Sequence, residues 1–330
     1  MKITVLGSGG WGTALALLLL KNGHEVTLWS YIEAESATLR ERRENPVLPG
    51  IKLPEELTLT ADLECVKGCG VVVMAPPSFA MRQTAVKVAP LLDEGTVIIS
   101  VSKGIEENTS LTMTEVINQV TGGRFPIAAL SGPSHAEEVA RDMPTSVVAA
   151  AKDPKVAELA QDLFMAPLFR VYTTDDVVGV ELAGALKNII ALCAGVCDGL
   201  GFGDNTKAAL MTRGLSEMAR LGQAMGGKRE TFAGLAGVGD LMVTCTSQHS
   251  RNRRCGALIG QGVLPQDAVR EIGMVVEGYY AAAAAMTLAE RLGVEMPLSQ
   301  AVWRVLYRGK DPRSAALELM ARDKRPEADL

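Results

Sequence analysis

Residues 2–29, "KITVLGSGGWGTALALLLLKNGHEVTLW", decide the fold. A short β-rich run passes through a glycine turn into an apolar helical stretch, and a second β-rich run follows at the distance a crossover helix requires. Gly7, Gly9 and Gly12 stand in G-x-G-x-x-G spacing directly between strand and helix. Each has its own reason there: Gly7 permits the tight turn, Gly9 lets backbone approach a pyrophosphate, and Gly12 allows close helix–strand packing. Unbonded N–H groups at the helix start then attract the anion. Glycine turns alone are common, so the weight lies on the complete strand–turn–helix–strand unit, a dinucleotide-binding fingerprint. An acidic residue usually closes the second strand of such a unit and holds the adenosine ribose. This chain has Ser30 and Tyr31 instead, with Glu33 beyond and Arg40, Arg42 and Arg43 farther on, so either NAD or NADP fits.

The pattern repeats through the first half. "KITVL", "EVTLW", "GVVVMA", "TVIISVS", "PIAALS", "TSVVAA" and "LFRVYT" read as strands, several apolar on both faces as a helix-covered parallel sheet demands. Helical stretches at about 11–22, 78–91, 111–120 and 154–164 supply the crossovers, and the proline-rich 45–56 is a loop. From about residue 177 the β-branched alternation stops, and Ala, Leu, Gly and Met at helical spacing take over. The expectation is an α/β Rossmann-type dinucleotide-binding domain over 1–176 followed by an all-α substrate and catalytic domain over 177–330. A length of 330 residues suits two such cores.

Composition narrows the role. A net charge of −5 offers no general attraction for nucleic acid or an anionic bilayer. Apolar runs such as "ALALLLL" at 14–20 stop short of the roughly 18 residues a membrane helix needs, so no membrane insertion is expected. The start "MKITVLGSGG" goes straight into strand and turn without a signal-type apolar region, which predicts a cytoplasmic protein. Cysteines 65, 69, 193, 197, 245 and 255 show no C-x-x-C and no histidine at ligand spacing, so buried thiols and no metal are expected. The charged tail "ARDKRPEADL" is expected to fray.

Within "VELAGALKNIIALCAGVC" (180–197), Glu181, Gly184, Lys187 and Asn188 fall on one face of an otherwise apolar helix. Lys187 could be a snorkelling side chain paired with Glu181. Its place at the junction of the two expected domains favours another reading, because substrates settle in clefts between domains. A partly desolvated lysine there would have a lowered pKa suited to trading a proton with a substrate oxygen while hydride moves at carbon. Three further clusters offer polar groups at strand ends or glycine turns. They are Lys103 in "SVSKGIE"; Gly132, Ser134 and Ala136 in "LSGPSHAEE"; and Asp240, Thr244, Ser250, Arg251 and Asn252 in "GLAGVGDLMVTCTSQHSRNRRCG". Each has a plain structural reading: a solvated Lys103, Ser134 or Asp240 as helix N-caps, an exposed basic turn at 250–254.

The blocks "GSGGWGTALA", "NPVLPGIKLPEELTLTADL", "SKGIE", "LSGPSHAEE", "ELAGALKNIIALCAGVCDGLGFGDNTKAAL", "GLAGVGDLMVTCTSQHSRNRRCG" and "VVEG" occur in this order and cover most of the chain. With them the sequence resembles the bacterial-type NAD(P)-dependent glycerol-3-phosphate dehydrogenase family. The resemblance implies reversible reduction of dihydroxyacetone phosphate to sn-glycerol 3-phosphate, a supply for phospholipid synthesis, with a helical second domain and a homodimer. It implies Lys187 as proton donor and acceptor, held by Asp240 and Thr244. Substrate contacts would come from Lys103, Gly132, Ser134, Lys187, Asn188 and Asp240, with Ser250, Arg251 and Asn252 around the phosphate. Cofactor contacts would come from Gly7, Gly9, Gly10, Trp11, Gly12, Tyr31, Lys103, Ala136, Arg251, Val275 and Glu277. Gly10 stands where many members carry Ser, and Tyr31 where others often carry Arg or His. The rivals are a 3-hydroxyacid or 6-phosphogluconate-type dehydrogenase, which pair similar domains with a Lys–Asn, and a nucleotide sensor that binds NAD(P) without turnover.

Overall fold

A computed structural model describes residues 1–324, 326 and 327. The chain forms two compact units, one of Met1–Ser102 and Met113–Val177, the other of Lys103–Thr112 and Val178–Leu330.

The first unit is built on eight strands: β1 Lys2–Leu6, β2 Glu25–Trp29, β3 Thr58–Thr60, β4 Val71–Met74, β5 Val97–Ser100, β6 Ile127–Ser131, β7 Thr145–Ala150 and β8 Phe169–Thr174. Their order is β3-β2-β1-β4-β5-β6-β7-β8. The helices of this unit are α1 Gly10–Lys21, α2 Glu33–Arg42, α3 Met81–Val88, α4 Met113–Thr121, α5 Ala136–Val139 and α6 Pro154–Phe164. α1 packs on α5 and α6, and α3 packs on α4. β4 shows why the parallel strands read as continuous apolar runs: Val71, Val72 and Val73 are fully buried and Met74 nearly so. Each such side chain contributes about 1.5–3 kcal/mol through removal from water. One continuous core runs from Ile3, Val5 and Leu15 through Val73 and Ile99 to Phe164.

All seven strands legible in the sequence form. β3 and α2 were not legible, since β3 is three residues long and α2 buries only Ser36 and Leu39. The sheet departs from an all-parallel expectation at one place, for β7 runs antiparallel to β6 while β8 is parallel to β7. Between β6 and β7 the chain forms only the single turn α5 and reverses near Asp142 (φ +57°), so no full crossover helix exists to bring β7 back parallel. The order reverses between β1 and β4, the place at which open α/β sheets receive ligands beyond their strand ends.

The second unit is helical. Its elements are α7 Val177–Gly199, α8 Asp204–Ala224, α9 Arg229–Ala233, α10 Asp240–Thr246, α11 Arg251–Gly260, α12 Pro265–Ile272, α13 Glu277–Leu292, α14 Pro297–Arg308 and α15 Pro312–Met320. α7 corrects the reading of apolar lengths, because its 23 residues are long and apolar enough to cross a membrane by length and composition. Its apolar window is 83% buried inside the protein, which makes it a core helix. Glu217 on α8 is buried and caps α14 from a distance, accepting from Leu298 N at 2.5 Å and Ser299 N at 3.1 Å. In the tail, Glu327 accepts from Arg213 at 3.3 Å; the expected fraying falls partly on residues 325 and 328–330, outside the described residues.

Candidate active site and cofactor loop

In the first unit the glycine loop matches its chemistry position by position. Gly7 has φ +121°, and a Cβ there would lie 2.6 Å from Ala75 O at the end of β4. A Cβ on Gly12 would lie 2.0 Å from Gly7 O, so helix and strand could not approach as they do. A Cβ on Gly9 would meet nothing within 4 Å, which leaves open space in front of the α1 N-terminus. Its N-cap is Gly9, which has no side chain to cap it, so the N–H groups of the first turn can meet an anion. Trp11 Nε1, beside the same turn, is buried and has no hydrogen-bond partner among the described residues. These features fit a dinucleotide pyrophosphate. Ala136 comes to this loop as well, 3.4 Å from where a Gly10 Cβ would sit.

One residue that sequence reasoning passed over fixes the loop. Asn45 is buried and donates through Nδ2 to Ser8 O at 2.8 Å and to Thr13 Oγ1 at 2.7 Å. It sits at the start of the proline-rich loop, and that stretch was the only sequence signal for it. Past β2, Ser30 is buried, whereas Tyr31 is 61% exposed with Lys87 Nζ 4.8 Å above its ring. After β6, Gly132 adopts φ +144°, with Val147 Cα 2.9 Å from any added Cβ, and Ser134 Oγ donates to Gly132 O at 2.9 Å. Ser134 is therefore not the N-cap of α5; His135 holds that place.

In the second unit α7 delivers Lys187 into a polar knot. Lys187 Nζ donates to Asp240 Oδ1 and to Thr244 Oγ1, each at 2.6 Å. Thr244 Oγ1 donates onward to Asp240 O at 2.6 Å. Lys103 Nζ donates to the other carboxylate oxygen, Oδ2, at 2.7 Å. The pairing with Glu181 does not occur, as Glu181 Oε2 accepts instead from Thr112 Oγ1 at 2.7 Å. Two of the three N–H bonds of Lys187 are thus committed, and among the described residues the third has no protein acceptor. Asp240 is the first residue of α10 and follows a π-helical turn, Leu235–Gly239, so it is not the helix cap. At that first turn the helix dipole also favours its negative charge.

The electrostatics follow from burial. Loss of water pushes the Lys187 ammonium down from 10.5 to about 8, against the pull of Asp240 and helped by the neighbouring Lys103 charge. Burial alone would raise Asp240, but Lys103 and Lys187 outweigh it and hold the carboxyl below its ordinary value. Cys245, next to Thr244, is pushed up to about 12 by burial and stays a thiol. All six cysteines are free.

A second polar set extends from the same helix. Asn252 Nδ2 donates to Asn188 Oδ1 at 2.9 Å, while Asn252 Oδ1 accepts from Gly278 N at 2.8 Å, directly after Glu277. Val275 is half-buried just ahead of that residue. Ser250 is the N-cap of α11, its hydroxyl accepting from Arg253 N, so the basic segment is the first turn of a helix and not an exposed turn. α11 reaches α7 backbone to backbone through glycines. A Cβ on Gly195 would lie 1.9 Å from Arg253 O, and one on Gly256 would lie 2.0 Å from Leu192 O.

The halves of the sequence match two models of one family: residues 2–157 the NAD-dependent glycerol-3-phosphate dehydrogenase N-terminus, and residues 176–317 its C-terminus. The chain belongs to the NAD-dependent glycerol-3-phosphate dehydrogenase family. A family relative from Agathobacter rectalis, named glycerol-3-phosphate dehydrogenase [NAD(P)+], is 52% identical over 99% of this chain and 97% of its own length. One of the same name from Moorella thermoacetica is 51% identical over 99% of this chain and 98% of its own. The crystal structure of glycerol-3-phosphate dehydrogenase from Coxiella burnetii superposes with a TM-score of 0.94 at 41% identity, covering 97% of this chain and 99% of that one. A ketopantoate reductase from Ralstonia eutropha, at 17% identity and TM-score 0.62, shares the fold alone. Membership in this family sets aside the hydroxyacid and phosphogluconate readings.

Proposed function

We propose that the chain catalyses the NAD(P)H-dependent, reversible reduction of dihydroxyacetone phosphate to sn-glycerol 3-phosphate, with Lys187 as general acid and base. The observation that carries this reading is a buried ammonium held by Asp240 and Thr244 with, among the described residues, one N–H uncommitted. A reduced dinucleotide held at the Gly7–Gly12 loop would supply the hydride for the carbonyl carbon. Lys187 gives its proton to the carbonyl oxygen as that oxygen gains charge, and takes it back in the reverse direction. Asp240 and Thr244 aim the Nζ, and Lys103 keeps the proton easier to release. Arg251, in the first turn of α11, recognises the phosphate, which suits a planar fork of donors. Residues 1–176 bind the dinucleotide, and 177–330, joined by Lys103, carry the substrate chemistry.

The experiment is a turnover assay following nicotinamide absorbance with dihydroxyacetone phosphate and NADH or NADPH in turn. Turnover with either supports the reading and gives the preference. Silence with both leaves a nucleotide sensor. Arg251→Ala should raise KM for the phosphorylated substrate far more than it weakens cofactor binding. The family resemblance further supports a cytoplasmic homodimer feeding phospholipid synthesis, tested by sedimentation of the purified protein and by fractionation of cells.

A further inference from the structure

We propose that Asp198 is a positioning residue for phosphate recognition, acting through Arg253 to fix the corner that presents Arg251. This rests on the reading of Arg251 given above.

Asp198 lies in the last turn of α7, three turns beyond Lys187. Its Oδ2 accepts from Arg253 Nε at 2.7 Å and its Oδ1 pairs with Lys207 Nζ at 3.1 Å. The Asp198 and Arg253 side chains keep only 18% and 17% of their exposure. Arg253 does more than pair. Its Nη1 donates to Thr246 O at 3.3 Å and Ser247 O at 3.4 Å, carbonyls at the end of α10 that the helix itself leaves unbonded. Its backbone N–H binds the Ser250 hydroxyl at 3.2 Å. One guanidinium therefore closes the whole turn from Thr246 to Arg253.

That turn joins two functional positions. Thr244, which holds Lys187, lies two residues before it, and Arg251 opens the helix after it. Arg251 and Arg253 are two residues apart on α11 and so lie about 200° apart around its axis. With Arg253 anchored on Asp198, Arg251 is turned to the opposite side. The glycine contacts already hold α7 against α11 along their length, at Gly195 on Arg253 O and Gly199 on Ala257 O. The backbone of the first turn is also held by Asn252, bonded to Asn188 and Gly278, and the ion pair adds to this by fixing the guanidinium that spans the corner. A clamp shifted by about 1 Å costs up to about 100-fold in a bound reaction.

The test compares Asp198→Asn and Asp198→Ala with the unaltered full-length enzyme. KM and kcat are measured for dihydroxyacetone phosphate, kcat/KM for unphosphorylated dihydroxyacetone, and Kd for NADH. The expected result is a KM for the phosphorylated substrate raised about 10–100-fold, with kcat, the dihydroxyacetone rate and NADH affinity nearly unchanged, and partial rescue by Asp198→Glu. An unchanged KM, or equal losses on both substrates, overturns the proposal, since a merely structural role would weaken both alike. If the Asp198 variants do not fold, Arg253→Lys carries the same comparison. Failure of the unaltered enzyme to turn over dihydroxyacetone phosphate would count against the proposed function instead. The positioning claim is then read from inorganic phosphate, whose affinity should fall about tenfold in Asp198→Asn, equal affinity overturning it.

Discussion

Lys187 and Asp240 form a buried ion pair, Nζ to Oδ1 at 2.6 Å, in which the carboxylate is shared with a second ammonium, Lys103. Burial strips water from the Lys187 ammonium and so favours release of its proton; the Asp240 carboxylate opposes that release and the neighbouring Lys103 charge assists it. A lysine that would otherwise hold its proton to 10.5 is brought to about 8.

The two directions of the reaction should respond oppositely to pH. Reduction needs the ammonium, so its kcat falls as pH rises through about 8; oxidation needs the amine, so its kcat rises through the same region. Stability follows the same linkage: between about 8 and 10.5 the unfolded chain binds the Lys187 proton and the folded chain does not, so this group makes stability rise with pH there. Parallel pH profiles in both directions would remove Lys187 from proton transfer.

Lys187→Ala should lower kcat about 10²–10⁴-fold while cofactor affinity holds. Asp240→Asn should act differently. It removes the charge that raises Lys187 and leaves the Lys103 repulsion, so the Lys187 pKa drops below its present value. The oxidative pH profile then moves toward acid and reduction at neutral pH weakens. A profile that stays in place after Asp240→Asn would mean the carboxylate does not tune the lysine.

Two glycines of one motif should fail in different ways. A Cβ on Gly9 meets no protein atom, so Gly9→Ala should keep the thermal midpoint and weaken NAD(P)H binding. A Cβ on Gly12 would overlap Gly7 O at 2.0 Å, so Gly12→Ala should lower the midpoint, by a cost of about 1–3 kcal/mol or more. Melting curves with and without cofactor separate the two, and identical behaviour would contradict the assigned roles.

Gly195→Ala should be among the most damaging single methyl additions, because the new carbon would sit 1.9 Å from Arg253 O, a backbone atom that cannot rotate away. The expected loss is about 3 kcal/mol or more, read from urea unfolding. A midpoint equal to that of the unaltered protein would show that α7 and α11 can separate freely.

Much of this was legible in the chain itself. The spacing of Gly7, Gly9 and Gly12 after an apolar strand specifies a nucleotide-type turn, because the requirements are local: one φ, one open face, one close contact. The period of apolar residues separated strands from helices up to residue 176 and helices afterward, again a local property. Lys187 stood out as a charge on an apolar helix. Local patterning left its partner open, with Glu181 the neighbour at hand, and Asp240 entered only through the family resemblance. Glu181 is one and a half turns away and Asp240 is 53 residues away, and only the packing of α10 against α7 selects the second. The same holds for Asn45 on the glycine loop, Asp198 on Arg253 and Glu217 on α14, and for the reversal of β7. Periodicity and turn chemistry are written within a few residues, whereas a buried polar group's partner is chosen by whichever distant segment the folded core brings within about 3 Å.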